Sequence, residues 1–255
     1  MAAKPELVVE QSADELASDV ARRTLATLGQ AQRAHGRAAL VLTAGSIMES
    51  VWRQLASSSE SATVDWSKVD VFWGDERYVP ADSPDRNDLP AAKILFEHAP
   101  FSMARLFSMP ASDGTFGPDL DAAAAFYAAE LAEARRPDDQ DDVPSFDVVL
   151  LGVGPDGHCA SLFPEHPGVY DESSSVIAVR NSPKPPPNRI SLSFKGLNAA
   201  REIWVVASGT GKADAVASAL GGAGRSKVPS AGALGTDRTL WLVDLEAASK
   251  LPGQR

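Results

Sequence analysis

Apolar residues gather in short runs separated by longer amphipathic stretches, and this alternation sets the expected fold. The runs Ala39–Thr43, Val69–Trp73, Phe146–Val153, Ser175–Val179, Ile190–Phe194, Ile203–Ala207 and Thr239–Val243 are short and β-branched or aliphatic, which predicts strands. Asp147-Val-Val-Leu-Leu151 has no polar alternation. Both of its faces are therefore expected to be buried, as in a parallel sheet covered by helices on each side. Helical spacing predicts helices over 12–34, 46–57, 88–98, 118–135 and 210–220. The fourth is the clearest, with Leu120, Ala124, Tyr127 and Leu131 on one face behind the start signal Gly117-Pro118-Asp119. Alternating strands and helices predict one α/β domain of doubly wound type over 1–255, around a mostly parallel sheet. Arg136–Pro144, with four aspartates between two prolines, reads as a solvated loop inside that domain or as a boundary. Lys184-Pro-Pro-Pro187 reads as a stiff extended lead into the next strand.

Composition narrows the function classes. With 44% hydrophobic and 23% charged residues, the 255-residue chain is ordinary globular material, which excludes disorder of the whole. Its 24 basic against 34 acidic residues give a formal charge of −10, which repels nucleic-acid phosphates and anionic lipid, so neither partner is expected. The longest apolar runs fall far short of the ~20 residues that cross a bilayer. Met1-Ala-Ala-Lys-Pro-Glu6 lacks an apolar secretory core, and the single cysteine, Cys159, forms no intrachain disulfide. A reducing cytoplasm is the expected setting. A small anionic substrate is compatible with the net charge, because a few focused cations reverse the potential inside a cleft.

In open α/β sheets ligands sit beyond the carboxyl ends of strands, and four such segments carry chemistry. After the first strand, Thr43-Ala-Gly45-Ser46-Ile-Met48 turns into a helix whose exposed N–H groups suit an anion, while Ser46 and Glu49 equally fit a capping box that satisfies the same groups. The strand Val71-Phe-Trp-Gly stops in Asp75-Glu76-Arg77, charges that fit either a turn salt bridge or a grip on sugar hydroxyls. The polar segment Asp82–Asn87 follows as a substrate-facing loop.

Gly152-Val-Gly154-Pro-Asp156-Gly157-His158 contains a literal G-x-G-x-x-G after a strand. An aspartate facing a pyrophosphate and a proline lacking a donor argue against dinucleotide binding. The segment instead offers His158 as a general base with Asp156 to orient it. Cys159 points away from His158 and reads as packing, and His35, His98 and His166 show no ligand spacing, so no metal site is expected. The fourth segment supplies cations, Arg189 after the triple proline and Lys212 in Ser208-Gly-Thr-Gly-Lys212, a recurrent phosphate setting that also fits solvated surface charge.

Phe72-Trp-Gly-Asp-Glu-Arg77, Asp147–Pro164, Pro186-Pro-Asn-Arg-Ile-Ser-Leu192 and Gly-Thr-Gly-Lys212-Ala, in this order, resemble the glucosamine-6-phosphate isomerase/6-phosphogluconolactonase family over nearly the full chain. The resemblance is to its lactonase branch. It implies a Rossmann-like α/β/α sandwich shared with glucosamine-6-phosphate deaminases, and hydrolysis of 6-phospho-D-glucono-1,5-lactone in the oxidative pentose phosphate pathway without cofactor or metal. It also implies His158 as the base that activates water with Asp156 beside it, Arg189 and Lys212 as phosphate ligands, and Asp75, Arg77 and Asn87 at the sugar end. The expected partner is a small phosphorylated sugar lactone, and the expected state a monomer or weak homodimer.

Two departures stand out. The family's glycine-rich Ser-Gly-Gly-Ser-Thr-Pro-like loop is here Thr43-Ala-Gly45-Ser46-Ile-Met48, and related deaminases carry a glutamate where this chain has Phe163. Two alternatives are weighed, a sugar-phosphate isomerase or deaminase of the same fold, against which Phe163 argues, and a catalytically silent sugar-phosphate sensor, which would be expected to lose the histidine or the phosphate cations. The oxyanion donors are expected among turn N–H groups around Gly154 to Gly157.

Overall fold

Two sheets organise the chain, a parallel one that carries the core and a small antiparallel one set against its carboxyl edge. The computed structural model describes residues 4–253, so Met1–Ala3 of the amino-terminal segment discussed above lie outside the described residues. In chain order the elements are β1 (Glu6–Glu10), α1 (Ala13–His35), β2 (Ala38–Leu42), α2 (Ser46–Ser57), β3 (Val69–Trp73), β4 (Asp75–Arg77) and α3 (Asp88–Ala91). There follow α4 (Leu120–Ala134), β5 (Val148–Gly152), β6 (Val176–Val179), β7 (Arg189–Leu192), α5 (Phe194–Leu197), β8 (Glu202–Ala207), α6 (Ala213–Leu220), β9 (Arg238–Asp244) and α7 (Leu245–Ala248).

The large sheet has the order β1-β9-β8-β5-β2-β3 with every pairing parallel. All five residues of β2 and of β3 are buried, and so are Val148 to Leu151 of β5, as the unbroken apolar runs require. Helix α1 begins where the Ser12 side chain accepts from the Glu15 N–H and ends at Gly36 in the left-handed region. Helix α4 starts on Asp119, which accepts from the Ala122 N–H, and buries Leu120, Ala124, Tyr127 and Leu131. Among the described residues no helix is long and apolar enough to cross a membrane.

Several elements differ from expectation. The runs around 176–179 and 189–192 do not extend the parallel sheet; with β4 they form a three-stranded antiparallel sheet of order β4-β7-β6. Gly74 joins the two sheets, its N–H donating to Leu42 O at 2.9 Å and its carbonyl accepting from Leu192 N at 2.8 Å. The expected helix over 88–98 is only α3 followed by a π-turn at Ala92–Phe96. The acidic loop is tied down at both ends: buried Arg136 donates to Asp147 Oδ2 at 2.5 Å, and Lys195 Nζ lies 2.5 Å from Asp142 Oδ2.

Candidate active site

The chain leaves β5 at Gly152 and folds into a tight turn, in which Gly154 N–H donates to His158 O and Gly157 N–H to Gly154 O, both at 2.9 Å. Gly157 adopts φ +85°, and a side chain there would meet Val228 Cγ1 at 2.8 Å. Gly154 is glycine for another reason: a Cβ on it would lie 2.0 Å from His158 Nδ1. Of the glycines in the G-x-G-x-x-G pattern, Gly154 therefore seats the imidazole ring and Gly157 closes the turn against Val228.

His158 Nδ1 stands 2.5 Å from Asp156 Oδ1. With Nδ1 engaged by the carboxylate, Nε2 is the ring nitrogen left for proton exchange. Burial opposes the charge on Asp156, but the hydrogen bonds from His158 and Lys184 outweigh it and hold the carboxyl well below the usual range. The turn does not provide the expected set of oxyanion donors. The N–H groups of Gly154 and Gly157 are spent inside the turn and Pro155 has none, which leaves Asp156 N–H alone.

The small sheet forms the facing wall. Arg77 pairs with Arg189 and Asp75 with Ser191 across β4 and β7, so these four side chains share one face. Ser161 Oγ donates to Asp75 Oδ2 at 2.6 Å, and Asn87 Nδ2 donates to Asp75 O at 2.9 Å. That bond fixes the Asn87 amide with Oδ1 buried and without a partner among the described residues. Glu76, on the opposite face, accepts from the N–H groups of Arg77, Asn87 and Asp88 at 2.8, 2.7 and 3.1 Å, which ties the Asp82–Asn87 loop to β4. Burial pushes the Glu76 carboxyl up to about 7, against the pull of nearby Arg86.

Arg189 is 4% exposed and spends most of its guanidinium on its own loop. Nε donates to Pro186 O at 3.2 Å, and Nη2 to Lys184 O and Pro185 O at 3.0 and 3.1 Å. Nη1 lies 3.9 Å from Asp75 Oδ2. Lys212 lies in the turn between β8 and α6; its ammonium has no hydrogen-bond partner among the described residues, and burial together with the charge of Lys184 lowers its pKa. Lys184 Nζ sits 3.1 Å from Asp156 Oδ1 and 3.2 Å from His158 Nδ1.

These groups enclose one pocket of about 310 Å³, lined by Asp75, Arg77, Asn87, His158, Arg189 and Lys212, together with Lys184 and the backbone of 152–155. Thr43 and Ala44 also line it, whereas Gly45 and Ser46 are not on its wall. The capping box does not form: Gly45 caps α2 without a side-chain bond, and Glu49 pairs with Arg53 at 3.1 Å. Cys159 is fully buried and its thiol is pushed up to about 12 by burial, as a packing residue. Phe163, also fully buried, stacks 4.7 Å from the His158 ring with the Arg189 guanidinium 5.6 Å from its own ring centre. Sequence reasoning missed Lys184 on the pocket wall and the buried Ser161 that holds Asp75 from behind, since neither carries a local signal for contacts 26 to 86 positions away.

Residues 11–241 match the family model for glucosamine-6-phosphate isomerases/6-phosphogluconolactonase. The chain belongs to this family. Within it, the chain is 49% identical to 6-phosphogluconolactonase of Streptomyces coelicolor over 252 residues, covering 99% of this chain and 97% of the relative. The solved structure of 6-phosphogluconolactonase from Trypanosoma brucei superposes with a TM-score of 0.81 at 28% identity, covering 97% and 99% of the two chains. A monomeric glucosamine-6-phosphate deaminase shares the fold, with a TM-score of 0.77 at 22% identity over 96% and 99% of the chains.

Proposed function

We propose that this chain hydrolyses 6-phospho-D-glucono-1,5-lactone to 6-phosphogluconate, the lactonase step of the oxidative pentose phosphate pathway. The observation that carries the reading is the seat of His158: its ring rests on Gly154 with Nδ1 on Asp156, inside a pocket walled by four cations. His158 Nε2 takes a proton from water as the water oxygen bonds to C1 of the lactone. The tetrahedral intermediate collapses with cleavage of the bond between C1 and the ring oxygen, and the histidine returns its proton to that oxygen. Asp156 keeps Nδ1 protonated and stabilises the imidazolium between the two transfers.

Lys212 binds the phosphate, with Arg189 contributing Nη1 alone, so binding energy remote from C1 positions the carbonyl at the base. Arg77 supplies the positive field at the developing oxyanion. Asp75 and the unpartnered Asn87 Oδ1 accept sugar hydroxyls. At this end the pocket wall is formed by Thr43 and Ala44, and Gly45 and Ser46 carry the turn from there into α2 without reaching the ligand directly. The chain works as one unit over 1–255, because strands on both sides of the acidic loop join the same sheet. A cytoplasmic monomer or weak homodimer is the setting we assign.

Phe163 separates this reading from deamination, since an apolar ring against His158 relays no proton for ring opening. The test follows proton release from freshly generated 6-phosphogluconolactone against its spontaneous rate, and ammonia release from glucosamine 6-phosphate in parallel. Rapid lactone turnover without ammonia is expected. A lactone rate at the spontaneous level, or measurable deamination, would overturn the assignment.

A further inference from the structure

Two donors crowd one oxygen in the pocket. His158 Nδ1 at 2.5 Å and Lys184 Nζ at 3.1 Å both address Asp156 Oδ1, and the two nitrogens stand only 3.2 Å apart. A protonated Nδ1 and an ammonium have no acceptor to offer each other, so the contact between them is repulsive and only the shared carboxylate holds it. The two donors are mounted differently. His158 is fixed by its turn, whereas Lys184 reaches in on a flexible four-carbon stem from the loop before β7. The backbone of that loop is immobilised by Arg189, whose Nε and Nη2 clamp the carbonyls of Lys184, Pro185 and Pro186. The stem is therefore free to swing from a fixed base. The Lys212 ammonium, on the same pocket wall, has no hydrogen-bond or ion-pair partner among the described residues, and the charges of Lys184 and Asp156 act on it.

We propose that Lys184 is an exchangeable cation: paired with Asp156 in the empty pocket, it turns to the substrate's phosphate beside Lys212 and leaves Asp156 to His158 alone. This rests on the lactonase reading and deepens it. An incoming phosphate dianion offers the ammonium more charge and more acceptor oxygens than a carboxylate oxygen already engaged by His158. The exchange also relieves the repulsion between Nζ and Nδ1. Phosphate recognition is thereby coupled to the base, which gains undivided use of its carboxylate only when a phosphorylated ligand is present. Arg189 acts through the loop, as the residue that positions Lys184.

The test titrates the intact wild-type chain, Lys184→Met and Lys184→Arg with inorganic phosphate, reading affinity by calorimetry and the His158 ring by NMR. Phosphate is expected to shift the ring resonances of the wild type. Lys184→Met is expected to bind phosphate about tenfold more weakly, the loss of one charge-assisted hydrogen bond, and to show no ring shift. Lys184→Arg, which keeps a cation on a long stem, is expected to recover most of the affinity. Equal phosphate affinity in wild type and Lys184→Met would overturn the proposal, and so would an undiminished ring shift in the Met variant. A wild type that binds phosphate with the expected ring shift but fails to hydrolyse the lactone would sink the lactonase reading instead.

Discussion

The turn that carries His158 and the loop that carries Lys184 meet at one carboxylate, yet different forces hold them in place. In the turn the backbone does the work: Gly154 and Gly157 bond within five residues, and the absence of a Cβ on Gly154 makes room for the ring. In the loop a side chain from the following strand does it, since Arg189 gathers three consecutive carbonyls onto one guanidinium. A backbone-built seat suits a group that must hold one geometry through proton transfer. A side-chain-clamped loop suits a long cation that must reach a variable charge. The difference separates chemistry from recognition within a single pocket, and substitutions on either side should split kcat from KM.

The largest effect is expected at the base. His158→Ala should cost about 10²–10⁴ in kcat with the fold intact, measured by proton release at saturating lactone and by circular dichroism. Near-normal kcat would remove His158 from the chemistry. On the recognition side, Lys212→Met should raise KM for the phosphorylated lactone by about 10–100-fold, the worth of a charge-assisted hydrogen bond to phosphate, with a smaller fall in kcat. If unphosphorylated gluconolactone lost as much, Lys212 would not be a phosphate ligand.

Arg189→Lys keeps the charge but loses the planar fork, so it cannot hold all three carbonyls. A loss of about 1–3 kcal/mol in unfolding free energy is expected from denaturant titration. An unchanged midpoint would mean that the loop is held by other contacts.

An effect of the same size, but set by pH, concerns Glu76, which anchors the Asn87 loop behind the small sheet. Folding raises its pKa from 4.5 to about 7, so the folded chain holds this proton more tightly than the unfolded chain. The stability this gives is fully present below pH 4.5 and is lost as pH rises through about 7. Glu76→Gln should therefore gain on the wild type by about 1–3 kcal/mol between pH 4.5 and 7.5. A difference that stays flat with pH would contradict the burial of an ionisable carboxyl there.

The same contrast explains what could be read from the chain. Val148 to Leu151 announced a central strand because nothing polar interrupts it, and Leu120 to Leu131 announced a helix by period. Strand β4 gave no such signal, since Asp75-Glu76-Arg77 looks like a turn until the structure shows Glu76 to be 1% exposed and bonded by three N–H groups. Strand β1, with charges at both ends of a three-residue apolar stretch at the sheet edge, was equally silent. His158 was legible because its seat leaves glycines in the sequence. Lys184 was not, because its place depends on the cross-chain contacts that Arg189 and Asp156 make, and Lys-Pro-Pro-Pro alone reads as a stiff connector. Arg189 was found, but the consumption of its donors by backbone carbonyls appears only in three dimensions.

One substitution tests the seat itself without removing any functional side chain. Gly154→Ala adds a single methyl group that would lie 2.0 Å from His158 Nδ1, forcing the ring off its position. Steady-state kinetics on fresh 6-phosphogluconolactone should show kcat reduced by about 100-fold with KM within a few-fold of wild type, the cost of misplacing a base by an ångström. Unchanged kcat would show that His158 does not need the Gly154 seat and would contradict the division of labour between the two walls.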